Sequence, residues 1–195
     1  MLNEIRNQLR QLNEKILSHP FIKQLEEKRI SLEKALELFR QEWYIVNHDV
    51  RSIAIMFSRA QYEEELEFFY KALQGDYNAL WLLKPIIKDQ EIKPNPVSTA
   101  YTHYLAWLAL YANSGEQAIA LTVNLPVWAE NTRRVADALE KNYNFTQTQF
   151  LRAFSIDPKF EELAERIASR YRGRYYEIAY TIQSYELMFW DSLIS

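Results

Sequence analysis

With 195 residues, the chain is long enough to bury a substantial core as one domain, 1–195. Hydrophobic residues make up 48% of it, while glycines number three, at 75, 115 and 173, which is too few turn residues for a sheet protein, so the composition predicts an all-α fold. A net charge of -3 gives no electrostatic drive toward nucleic acid, and the lack of cysteine removes disulfides, thiolate metal sites and thiol nucleophiles together.

In chain order, Leu2, Ile5, Leu9, Leu12 and Ile16 recur at steps of three and four and predict one amphipathic helix ending near Ser18-His19-Pro20, with His19 at its end. The charged character of this opening segment is unlike a secretory leader. A second long helix is expected from Ser31 to about Ala60, its apolar face formed by Leu32, Leu36, Phe39, Trp43, Val46, Val50 and Ile53. Further helices fit residues 62–73 and 76–84, stopped by Pro85 and followed by a connector broken at Pro94 and Pro96.

The next helix is predicted from Ser98 to about Ser114. There Ser114-Gly115-Glu116-Gln117 reads as a capping box opening a long helix to Tyr143. Asp157 and Pro158 supply the N-cap and first position of another. Arg170, Arg172 and Arg174 interleave with Tyr171, Tyr175 and Tyr176; this stretch reads as a solvated corner with Gly173 just past a helix end, in preference to a phosphate-and-stacking surface. Beyond it the chain is expected to be helical to its end. The longest apolar run, residues 104–112, falls well short of the about 18 residues that span a bilayer. The expectation is a soluble, cytoplasmic protein with no membrane or nucleic-acid partner.

Within the last predicted helix, Glu186 precedes Phe189 and Trp190 by three and four residues. It therefore shares their face and is carried toward the core. Burial of a carboxylate is costly, so Glu186 needs either a partner or a task. Glu42 poses the same question in the second helix. Arg51 and Arg134 are candidate ion-pair partners for the two glutamates, and Tyr101, Phe189 and Trp190 also read as ordinary bundle core.

Several segments in order carry a resemblance: His19-Pro20-Phe21, Arg40-Gln41-Glu42-Trp43-Tyr44, Ala100-Tyr101-Thr102-His103-Tyr104-Leu105, Leu125-Pro126-Val127-Trp128 and Tyr185-Glu186-Leu187-Met188-Phe189-Trp190. Together they resemble the TenA family of thiamine-salvage enzymes across essentially the whole chain. The resemblance implies a haem-oxygenase-like multi-helix bundle with a central apolar pocket, no cofactor, self-association as a dimer or tetramer, and hydrolysis of an aminopyrimidine C–N bond. It implies Glu186 as the acid/base, Phe189 as the ring that stacks on the pyrimidine, Tyr101 as a pocket residue and Glu42 at the family's aspartate, which bonds the pyrimidine edge.

Departures from the family pattern are equally specific. The nucleophilic cysteine falls on Val127, which is then expected on the pocket wall, its supporting tyrosine on Phe154, and an aromatic on Ile45. A family branch without the cysteine uses an additional carboxylate, for which Glu130, one turn from Val127, is the candidate; paired with Arg133 or Arg134 it reads instead as a solvated face. Two other classes stay open: a non-catalytic binder of small heteroaromatics or of a protein partner, and a metal-dependent oxidase on the same fold. The oxidase fits poorly, because the chain has only His19, His48 and His103, lacks a Glu-x-x-His pair, and places His48 out of phase with Glu42.

Overall fold

In the computed structural model, which describes residues 1–87 and 90–194, the chain forms ten helices. In order these are α1 (Leu2–Gln8), α2 (Arg10–Leu17), α3 (Pro20–Glu26), α4 (Leu32–Arg59), α5 (Glu63–Ile87), α6 (Pro96–Tyr111), α7 (Ser114–Ala120), α8 (Leu125–Tyr143), α9 (Pro158–Arg170) and α10 (Tyr175–Ser192). No strand occurs among the described residues, and none of their helices is long and apolar enough to cross a membrane.

Local chemistry accounts for most boundaries. Ser31 caps α4 by accepting the Lys34 N–H at 3.2 Å, and Asn95 caps α6 by accepting that of Ser98 at 2.8 Å. Pro96 opens α6 where a breaker was expected, because the first helical position needs no N–H. Asp157 and Pro158 start α9 as predicted. His19 is a helix-end residue of a definite kind. Its Nδ1 accepts the Phe21 N–H at 3.2 Å, and Nε2 lies 3.0 Å from Asp191 Oδ1, tying the start of α3 to the end of α10.

Several expectations are corrected. The opening helix breaks at Leu9 into α1 and α2. α5 runs unbroken through Gly75 and takes Pro85 into its last turn, at the cost of one helical hydrogen bond. The capping box lies one residue earlier than expected: Asn113 accepts the Glu116 N–H at 3.0 Å and Glu116 accepts that of Asn113 at 3.3 Å. The helix this box opens stops at Ala120, and α8 begins separately with Pro126 in its first turn, where the ring's missing N–H is harmless. Gly173 does not adopt the left-handed conformation of a helix-ending glycine. It is small for space, since a Cβ there would lie 2.6 Å from the Tyr175 ring and 2.8 Å from Glu116 Cγ.

Two apolar clusters make up the core. One gathers Phe21, Phe39, Phe150 and Trp190, the other Phe68, Leu108, Ile119 and Ile167, and Tyr101 packs against both. Between them lies a cavity.

Candidate functional site

The cavity has a volume of about 560 Å³. Its walls come from α4 (Glu42, Ile45, Asp49), α5 (Gly75, Asp76, Ala79), α6 (Tyr101), the α7–α8 turn (Leu121, Asn124), α8 (Trp128), the segment before α9 (Phe154) and α10 (Tyr185, Glu186, Phe189). Expected as apolar, it carries acids on three sides.

α4 explains why. Its buried stripe runs through Ala35, Leu38, Glu42, Ile45, Asp49, Ser52 and Met56, alternating steps of three and four. Of the predicted face, Phe39, Val46 and Ile53 are buried, whereas Leu32, Leu36, Trp43 and Val50 are only half-buried flank residues. Two carboxylates stand on the true inner stripe, so a count of apolar residues drew the face to one side.

Glu186 projects from α10 beside Phe189 and Trp190, all three buried. Trp190 Nε1 donates to Glu186 Oε1 at 3.5 Å, and the Asn124 side chain donates to the same carboxyl. The second oxygen, Oε2, is buried without a hydrogen-bond partner. Burial outweighs the two donors and pushes Glu186 up to about 8. Phe189 stands edge-on to Trp128, with ring centroids 5.9 Å apart.

Glu42 is raised to about 8, first by burial and then by repulsion from Asp76 and Glu186. Asp49 is raised well above the usual carboxylate range by burial and by Asp76 and Glu42, against a Tyr101 Oη hydrogen bond to Oδ2 at 3.4 Å. Enclosure lifts Asp76 to about 7. Burial and the neighbouring carboxylates hold the Tyr101 phenol well above its ordinary value. No cation among the described residues forms an ion pair with any of these four acids. Arg51 donates instead to the Asn47 carbonyl, and Arg134 grips Glu26 at 2.8 and 3.0 Å.

Glu42, Tyr101, Glu186 and Phe189 thus converge on one cavity, while Val127 and Glu130 do not join them. Asn124, the N-cap of α8, and Trp128, one turn further on, face the opening. Val127 is rotated about 100° from Trp128 and packs into the apolar core. Glu130 is drawn outward by Arg133, which contacts both its oxygens at 3.1 and 2.7 Å, and this pairing lowers its pKa. Phe154 and Ile45 do line the cavity and bring no hydroxyl to it. Among the described residues, no group of three or more His, Cys, Asp or Glu side chains is arranged to hold a metal ion.

The profile of the TENA/THI-4/PQQC family matches residues 6–195. The chain belongs to that family. Solved structures agree on the fold. A TenA homologue from Pyrococcus furiosus superposes with a TM-score of 0.79 at 19% identity, covering 99% of this chain and 100% of that one. A TenA-like protein of Sulfolobus solfataricus, proposed to be a thiaminase, gives 0.67 at 17% identity, with 98% and 94% covered. A domain of unknown function with a haem-oxygenase-like fold from Shewanella denitrificans gives 0.81 at 13%, with 100% and 92% covered. No curated protein matches the sequence.

This TENA/THI-4/PQQC chain is therefore a haem-oxygenase-like bundle. Asp49, Asp76 and Asn124 are wall residues to which the sequence assigned no place in the pocket. Asp49 had a usable signal: it stands seven residues, two turns, after Glu42, so the two share a face. Asp76 gave none, because it lies where α5 was expected to begin anew.

Proposed function

We propose that the cavity binds an aminopyrimidine-like ligand and hydrolyses its exocyclic C–N bond, with water as the attacking group and Glu186 moving the proton. The observation that carries this reading is the convergence of Glu42, Tyr101, Glu186 and Phe189 on one cavity whose carboxyls have no ion-pair partner among the described residues. An aminopyrimidine has a π-face that suits Phe189 and a donor/acceptor edge that suits Glu42. Family membership and the thiaminase proposed among the structural neighbours support the same class.

With its pKa raised to about 8, Glu186 keeps its proton at neutral pH and has one to give. As the C–N bond breaks, the electron pair goes to nitrogen and Glu186 protonates the departing amine. The resulting carboxylate accepts a proton from the attacking water while the C–O bond forms. The sum is amine plus water giving alcohol plus ammonia, and the acid is regenerated. Glu130 and Val127 have no part in these steps; Val127 backs the wall formed by Trp128. The reading treats residues 1–195 as a single domain in a cytoplasmic, self-associating protein.

A second reading, binding without turnover, is favoured by one observation: the chain has no cysteine, and Phe154 and Ile45 bring no hydroxyl to the cavity wall. Incubation with thiamine and with the aminomethylpyrimidine derived from it separates the two. Hydroxymethylpyrimidine should appear. A raised melting temperature without product establishes the binder, and no effect of either compound contradicts both.

A further inference from the structure

Beyond the pair Glu42 and Glu186, the cavity holds a second acidic pair that the hydrolysis leaves idle. Asp49 is only 8% exposed, and its Oδ1 is buried without a hydrogen-bond partner. Its other oxygen has the long Tyr101 contact at 3.4 Å. Across from it α5 turns Ala72, Gly75, Asp76 and Ala79 toward the opening, so that Asp76 stands among the smallest residues available. A Cβ built on Gly75 meets nothing within 4 Å, and its φ is not positive. Neither packing nor backbone conformation therefore calls for glycine in the interior of α5, where it is the least favourable residue after proline. Gly75 is exposed at the mouth of the cavity, and its missing side chain leaves that mouth open beside Asp76.

The pair also lacks an internal counter-charge. Lys71 is the one basic side chain on the wall among the described residues, and Glu67 holds it at 2.6 Å. Such a site calls for a compact cationic donor. Among the described residues no group of three or more acidic or imidazole side chains is arranged for a metal ion, whereas an ammonium brings three N–H donors, enough to fill the vacant Asp49 oxygen and reach Asp76. The carbons attached to it would lie against Ile53, Ala72 and Ala79.

We propose that Asp49 and Asp76, with the open space at Gly75, form a second subsite that takes a protonated alkylamine carried by the ligand. This assignment rests on the reading above for the remainder of the ligand. It predicts that the natural substrate carries a basic substituent in addition to the ring edge met by Glu42 and the leaving group met by Glu186.

Calorimetric titration of the full chain with butylamine, protonated at neutral pH, against 1-butanol tests the subsite alone. The amine should bind at least tenfold more tightly, and Asp49→Asn or Asp76→Asn should each erase most of that preference. Gly75→Leu provides a variant that keeps both acids and the fold, since it fills open space; it should weaken the amine by a similar factor. Equal binding of amine and alcohol, or variants that retain the preference, would overturn the assignment. Hydroxymethylpyrimidine, which carries no alkylamine, keeps the two readings apart. If it binds while butylamine does not, the subsite fails and the aminopyrimidine reading stands; if butylamine binds and it does not, the subsite survives and the aminopyrimidine reading fails.

Discussion

Glu186 and Glu42 are held in an environment that opposes their ionisation, and this has a consequence for stability with a definite sign. Both are raised from 4.5 to about 8 in the folded chain. Below 4.5 both states are protonated and the burial is harmless. Between 4.5 and 8 the native state keeps protons that the unfolded state releases, so stability falls as pH rises across that window. The melting temperature should therefore be higher at pH 5.5 than at pH 8.5. Glu42→Gln should raise stability at pH 8.5 by on the order of 2 kcal/mol and flatten the dependence, a result readable by thermal or urea unfolding. A melting temperature that climbs toward pH 8.5 would contradict the burial of these acids. Glu130 serves as the control at this scale. Exposed and paired with Arg133, it can be changed to alanine with turnover kept within about twofold, because surface pairs of this kind contribute little.

At the scale of elements, helix type and most caps could be read from the sequence because each depends on residues within one or two turns. Ser31, Asp157 and Pro158 acted locally and were placed correctly. Register was harder. The inner face of α4 was misjudged because Glu42 and Asp49 occupy it, and polar residues on a buried stripe are visible only once the opposing wall is known. The break between α7 and α8 was missed for a related reason: Leu121, Thr122, Val123 and Asn124 carry no glycine, and the turn is held partly by the Thr122 hydroxyl donating to the Ala118 carbonyl at 2.7 Å. That break brings Leu121 and Asn124 to the cavity. The packing of α7 on α9 offers a sharp test. A Cβ on Gly115 would lie 2.8 Å from Tyr175 Oη and 3.1 Å from the Ala168 backbone, which has little room to yield. Gly115→Ala should destabilise by about 1–3 kcal/mol in urea unfolding, and a neutral outcome would show that α7 and α9 are less tightly joined.

For the molecule as a whole, the haem-oxygenase-like bundle was within reach of the sequence, whereas the acidic cavity was only half visible. Composition excluded sheets, and the ordered segments from His19 to Trp190 carried the family. The inward set Glu42, Tyr101, Glu186 and Phe189 followed from that resemblance, but Asp76 depends on α5 running straight through a glycine. The surface supplies a further expectation. Trp107 and Tyr111 on α6 and Tyr176 and Tyr180 on α10 leave large rings exposed, and such faces suit self-association. Light scattering at micromolar concentration should give a dimer or tetramer mass, and a monomer would remove that part of the reading. The central claim is that Glu186 moves the proton in this cavity, and one comparison tests it most directly: hydroxymethylpyrimidine formed from aminomethylpyrimidine at pH 7 by the wild type and by Glu186→Gln. The account predicts product from the wild type and at least a hundredfold less from the variant, with ligand affinity changed by no more than a few-fold. Equal turnover by the two proteins would contradict it.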